Sequence, residues 1–362
     1  CTNLEPNDVL TMLEGCTDSP PESFTVAGDH IRVSYSEEGF WNNGDAGLAI
    51  KPPGALTRSW VEVTTTGSLS VDEMNVYLPD IGADGREFSG GWGTSTSDFN
   101  VVCAKPVSMG DVIGAVHIFS VAVPEFSGIA VGGGATRSPT LRVTRTELWN
   151  ESENVMLVHY KMQIIAGFGS HAFVLRRQIE PDIGGVSQPE WERDASFYVS
   201  ASNPSTNWTI GWGGCDDNGQ IGAFETVETI SASHQLCDPD DWTDDMTLAF
   251  EYDGTLSAAS PFETRFVMAV GNSYSSAFDA WEGDRDDFCG DEPDHSGGYW
   301  LPVCDPTADD VPIDPTGGGG GGEGGGGSSG FATIGIDPTS WDPWDPTAVD
   351  TTGFATAGDP TV

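Results

Sequence analysis

From Ser23 to Val270 the apolar residues recur with a period of two. The clearest run is Val155 to Ile165, where Met156, Val158, Tyr160, Met162 and Ile164 alternate with Leu157, His159, Lys161 and Gln163. Alternation of this kind puts successive side chains on opposite faces of an extended strand, one buried and one wetter. Comparable runs cover Phe24–Ser36, Ser59–Thr65, Asp111–Ala122, Thr140–Leu148, Ala172–Gln178, Ala195–Ala201, Met246–Tyr252 and Glu263–Val270. Turn-forming clusters separate them, among them Asn42-Asn43-Gly44-Asp45, Asp84-Gly85 and Asp217-Asn218-Gly219. Two short helices are predicted. Asn7-Asp8 caps a turn through Val9, Leu10, Met12 and Leu13, closed by Gly15, and Tyr274–Trp281 forms the other. Strands at this spacing without intervening helices predict an all-β protein, a large antiparallel β-sandwich, in place of βαβ units.

The pattern also divides the chain. Residues 1–22 form a short N-terminal anchor segment and 23–304 the sandwich. A linker follows over 305–330, first Pro/Asp and then nearly pure Gly, a composition that makes a flexible tether. The tail, 331–362, contains a repeat: Gly330 to Thr339 recurs, one residue shorter, from Gly353 to Thr361. Phe331, Ile334, Ile336, Trp341, Trp344 and Phe354 are costly to leave in water, although low-complexity drift is the plainer account of such a tail. Taken as assembly residues, they predict a tail that adds a strand to an exposed sheet edge of a neighbouring copy. Head-to-tail contacts of that kind give a homo-oligomer or a homopolymeric filament.

Composition sharpens the picture. The 362 residues include 47 Gly and carry 56 acidic against 14 basic side chains, a net charge of −42. Nucleic acid and anionic lipid are repelled by such a chain, and salt or divalent cations are needed to relieve its self-repulsion, as in a marine or salt-adapted source. Seven cysteines stand at positions 1, 16, 103, 215, 237, 289 and 304, with no CxxC spacing. Their scatter suits disulfides in an oxidising compartment, and an extracellular or cell-surface location. Local closures Cys215–Cys237 and Cys289–Cys304 leave Cys16 for Cys103. A first residue Cys1 followed by the polar run Thr2 to Asp8 resembles a mature bacterial lipoprotein, in which that cysteine carries the lipid; a chain boundary or a bond to Cys16 are the alternatives. No apolar run approaches the ~18 residues of a membrane span, so attachment would be through lipid alone.

The chemistry-bearing residues are few. The six histidines show no HxH or HExxH spacing, and there is no GxSxG elbow or phosphate loop. Carboxylates are dense in two places. Asp238, Asp240, Asp241, Asp244 and Asp245 follow Cys237, and Asp216 and Asp217 follow Cys215. A disulfide-pinned loop of this kind gathers the several oxygen ligands that calcium requires, although a solvated acidic surface is the plain alternative. Trp92 and Trp212, each read as lying in a glycine-rich loop, are candidates for stacking on a glycan, against simple packing at the sandwich edge.

One stretch carries a family resemblance. It comprises Glu147-Leu148-Trp149, the strand to Ile165, Phe173 to Asp182, and Leu256 to Met268 followed by a short helix. Together these resemble secreted bacterial β-supersandwich proteins of the galactose-mutarotase-like and polysaccharide-lyase type. The resemblance implies two large antiparallel sheets packed face to face, over roughly residues 24–282, and carries no catalytic residue across. The leading expectation is therefore a non-catalytic extracellular structural protein that assembles through its tail. A surface carbohydrate-binding protein is the alternative, and a polysaccharide-lyase-like enzyme the second.

Overall fold

The computed structural model describes residues 22–289, apart from 42–46, 56–58, 65–71, 92–96, 127–138, 168, 187–188, 195–197, 216–218, 225–230, 234–235 and 237–246. Within these residues seventeen strands build three antiparallel sheets. A four-stranded sheet follows chain order through β1 (Phe24–Ala27), β2 (Ile31–Tyr35), β3 (Leu48–Ile50) and β4 (Val61–Glu62). A five-stranded sheet contains β5 (Asp72–Leu78), β6 (Arg86–Gly91), β11 (Ser170–Ile179), β15 (Gly219–Phe224) and β16 (Thr247–Ser257), in the order β15-β16-β11-β5-β6. The eight-stranded sheet contains β7 (Asn100–Met109), β8 (Val112–Ala122), β9 (Thr140–Asn150), β10 (Val155–Ile165), β12 (Glu190–Asp194), β13 (Tyr198–Ser202), β14 (Thr209–Gly214) and β17 (Phe262–Gly271), in the order β12-β13-β14-β17-β10-β9-β8-β7. The all-β sandwich expected from the strand pattern is what the chain forms.

A single apolar core joins the sheets. Val33 from the small sheet, Val76, Leu175 and Phe250 from the five-stranded sheet, and Phe119, Val158 and Phe266 from the large one all belong to it. Each such side chain stabilises the fold by about 1.5–3 kcal/mol when fully buried. Strand β10 behaves as its alternation predicts. Met156, Val158, Tyr160, Met162 and Ile164 enter this core, while His159, Lys161 and Gln163 look outward and are half-buried.

The outer face of the large sheet carries two apolar clusters, Val116 and Leu148 with Val107, Met109 and Val112 towards β7, and a second on β10 and β17 that a helix covers. Helix α1 (Tyr274–Cys289) extends beyond the predicted Trp281. Ser273 caps it: its Oγ accepts from Ser276 N–H at 3.3 Å, and Ser276 Oγ accepts from Ser273 N–H at 3.1 Å, a reciprocal pair of the capping-box kind. The helix lays Tyr274, Phe278 and Trp281 on Val155, Leu157, Val267 and Ala269. Strand β14 must carry glycine beneath these rings. A Cβ on Gly213 would stand 2.1 Å from Trp281 Nε1, and one on Gly211 would stand 1.9 Å from the Tyr198 hydroxyl.

Candidate functional site

Most residues singled out in the sequence lie outside the described residues. These include Asp216, Asp217, Asp238, Asp240, Asp241, Asp244 and Asp245, Trp92, the tail residues Phe331 to Phe354, and Cys1, Cys16, Cys237 and Cys304. Trp212 is the correction. It sits in β14, fully buried in the core, because the glycines around it serve strand packing and not a loop. Its ring has no face to offer a sugar. Cys103 and Cys215 are both disulfide-bonded. They are not partners of one another: β17, β10, β9 and β8 separate β14 from β7, about 24 Å at ~4.8 Å per strand, whereas a disulfide spans under ~7 Å between Cα atoms.

Among the described residues the most extensive polar assembly lies inside the core, and no motif in the sequence marks it. Arg145 and Glu147 point inward from β9, Tyr160 from β10, Arg177 from β11, Asp72 from β5 and Tyr35 from β2, each no more than 1% exposed. Glu147 is the hub. It accepts from Tyr35 OH at 2.5 Å and from Trp41 Nε1 at 3.0 and 3.1 Å, and Arg145 Nε lies 3.2 Å away. Arg177 holds Asp72 at 2.5 Å, donates to the Tyr160 hydroxyl at 2.6 Å and lies 3.6 Å from Glu147. Its guanidinium also covers the Trp41 ring at 4.5 Å, and Asp72 accepts the Trp41 backbone N–H at 2.6 Å. Burial holds both tyrosine hydroxyls above their usual range, so they stay protonated donors or acceptors.

His117 stands at the end of this cluster, on β8 opposite Arg145. Its ring lies among Tyr35, Phe24 and Phe119, with centroids 4.6, 5.8 and 6.0 Å away. Among the described residues neither ring nitrogen has a hydrogen-bond partner. Burial, with Arg145 and Arg177 nearby, pushes its pKa well below the usual imidazole value. Two cations balance two carboxylates here, and the assembly ties all three sheets together. Being sealed from solvent, it acts as an internal brace and not as a reaction centre.

A second buried network lies on the far face of the five-stranded sheet. Arg176 Nε donates to Glu251 at 2.8 Å and its Nη1 to the Ser231 carbonyl at 2.7 Å, while Gln178 Nε2 donates to Asn75 at 2.8 Å. Glu87 accepts the Ala232 N–H at 2.7 Å. The 231–233 stretch is thus fixed to this face by its own backbone.

Among the described residues, two accessible groups combine charges in a way suited to a ligand. The first is on the small sheet, where the half-buried Trp60 lies beside Lys51 Nζ, 4.9 Å from its ring centroid, and Arg32 Cζ at 5.2 Å. Arg32 also holds Glu62 at 2.8 Å, with both side chains about a quarter to a third exposed (26% and 31%). The second is on the outer face of the large sheet. Lys161 Nζ stands 2.7 Å and His159 Nε2 3.4 Å from the carboxylate of Glu263, which is 43% exposed. The His159 hydrogen bond, helped by Lys161, holds the Glu263 carboxyl down at about 2. Among the described residues no group of three His, Cys, Asp or Glu is placed to hold a metal, and no helix is long and apolar enough to cross a membrane.

No family model and no curated protein matches the chain in sequence. Solved structures similar to it include the heparan sulfate lyase HepC of Pedobacter heparinus, at 8% identity and a TM-score of 0.35, over 70% of this chain and 36% of that one. The α-galactosidase AgaA of Geobacillus stearothermophilus shows 8% identity and a TM-score of 0.37, over 72% and 42%. An α-mannosidase of Enterococcus faecalis shows 7% and 0.41, over 75% and 32%. The chain thus spans between about a third and two fifths of the structures it is similar to. The expectation of a non-catalytic filament subunit is corrected on this finding. The structures similar to the chain include lyases, glycosidases and a phosphorylase, and the tail on which the filament rested lies outside the described residues.

Proposed function

We propose that this chain is an exported carbohydrate-binding β-sandwich whose sugar-contacting aromatic is Trp60. The Trp60 group carries the reading. A sugar offers an apolar C–H face rimmed by hydroxyls, and it is held by an aromatic body with donors and acceptors beside it. Trp60 supplies the aromatic, Arg32 and Lys51 the donors, and Glu62 the acceptor, all on or directly flanking strands of one small sheet. The bonded state of Cys103 and Cys215 supports an oxidising compartment. Calcium at the Asp238–Asp245 and Asp216–Asp217 segments is a proposal that rests on the sequence alone. The test is a glycan array followed by calorimetry on the best ligand. Trp60→Ala is expected to weaken binding at least tenfold with the melting temperature little changed; undiminished affinity sinks the assignment.

The lyase-like reading has one observation in its favour, the meeting of His159, Lys161 and Glu263 at an accessible surface. The same geometry argues against it, since a carboxyl that titrates at about 2 has no proton to donate near neutrality. An NMR titration of the Glu263 side-chain carboxyl is expected to give a midpoint near 2. A midpoint near neutrality would restore Glu263 as a general acid and favour the enzyme.

A further inference from the structure

We infer that the outer face of the eight-stranded sheet, across β9, β10 and β17, binds an acidic polysaccharide. The inference extends the carbohydrate reading but uses a different set of residues from the Trp60 group. It starts from an imbalance. The whole chain carries a charge of −42 with 14 basic side chains. Strand alternation places Arg142, Lys161, Arg265 and His159 outward on these three strands, and Glu263 is the one carboxylate among the same outward positions.

Register brings them together. Arg142 is opposite Gln163, Lys161 lies between Thr144 and Glu263, and His159 lies between Thr146 and Arg265. Adjacent strands are ~4.8 Å apart and successive outward residues ~6.8 Å apart. Neighbouring cations therefore lie within about one Debye length at physiological salt, ~8 Å, and act on a ligand as one field. Arg142 and Arg265 also have contacts of their own within the chain. Gln163 and Thr144 stand between the charges as uncharged donors and acceptors, suited to sugar hydroxyls. Helix α1 covers the apolar cluster at Val155, Leu157, Val267 and Ala269, and leaves the polar strip beyond it.

Charge density selects the ligand class. Duplex DNA carries one charge per ~1.7 Å and is repelled by the rest of so acidic a protein. A polysaccharide with separated carboxylates or sulfates meets the local field at a smaller long-range cost.

The experiment measures binding of the full chain to immobilised polygalacturonate, to heparin, to a neutral glucan and to duplex DNA, over a series of salt concentrations. The unmodified chain is expected to retain one or both acidic polymers, with affinity falling as salt rises; polygalacturonate alone names carboxylate as the recognised group, heparin alone names sulfate. Lys161→Glu/Arg265→Glu is expected to lose at least tenfold in that affinity. Lys161→Gln/Arg265→Gln, which only neutralises the two charges, is expected to lose part of it. Both pairs are changes at partly or fully exposed side chains, whose ion pairs add little to stability, so folding is retained and is checked by melting temperature. Acidic-polymer binding unchanged in the charge-reversed chain overturns the inference. Loss of neutral-glycan binding in Trp60→Ala still upholds the carbohydrate reading in that event. Equal affinity for duplex DNA, lost in the same variants, overturns the choice of ligand class.

Discussion

Replacing Arg177 with Met is expected to destabilise the fold by about 3–5 kcal/mol, the cost of leaving buried charge without its partner. Arg177 is 1% exposed, holds Asp72 at 2.5 Å and reaches Glu147 and Tyr160. Burial opposes its charge, but Asp72, Tyr160 and Glu147 together outweigh that and raise its pKa. Removing it leaves two carboxylates facing one remaining cation, Arg145, in a site that water does not reach. In urea unfolding the midpoint should fall sharply while the slope stays constant. Adding Asp72→Asn takes out the orphaned charge and keeps an oxygen for the Trp41 N–H, so the double variant should recover a large part of the loss. A single variant within 1 kcal/mol of the parent would show that the brace is not electrostatic.

Acidification is expected to strip stability through His117. The folded protein holds this imidazole neutral with a pKa well below 6.5, while the unfolded chain takes up a proton near that value. The unfolded state therefore binds more protons below about pH 6.5, and stability falls as pH falls, by up to about 1.4 kcal/mol per unit from this group. Glu263 acts in a lower window. Its folded pKa is depressed to about 2 from 4.5, so its contribution is present above 4.5 and lost on descent towards 2. Urea unfolding at pH 7, 6 and 5 should show a slope that His117→Phe removes. The larger ring will shift stability by a constant amount through overpacking, which leaves the slope as the readout. Parallel pH profiles for parent and variant would show that His117 charges in the folded state.

The strands were legible where one face of the sheet goes to the core and the other to water, as in Val155–Ile165. Gly211 to Gly214 was misleading because glycines read as a turn, and only the Tyr198 and Trp281 rings explain them in a strand. The brace did leave a signal. Arg145 and Glu147 share the parity of Leu141, Val143 and Trp149, and Arg177 shares that of Phe173, Leu175 and Ile179. Charged residues at core-parity positions are expensive unless paired, so the pattern pointed to a buried network. The Trp60 group left none, since its cations come from β2 and the end of β3 and meet the ring only once the small sheet has formed.

The brace also sets the order in which the chain can mature. Glu147 finds Tyr35 across 112 residues and Trp41 across 106, and the cluster stays incomplete until Arg177 arrives. At ribosomal speed the stretch from Tyr35 to Arg177 takes on the order of 10 s to emerge, at roughly 5–20 residues per second. Throughout that interval the two larger sheets are represented only in part, the five-stranded one by β5 and β6 alone, so apolar strand faces lack most of the strands that cover them. Long-range pairing of this kind makes for slow folding and a long exposure to aggregation. Holdase chaperones acting on the first half of the chain, more than catalysts of any single local step, are what its biogenesis calls for.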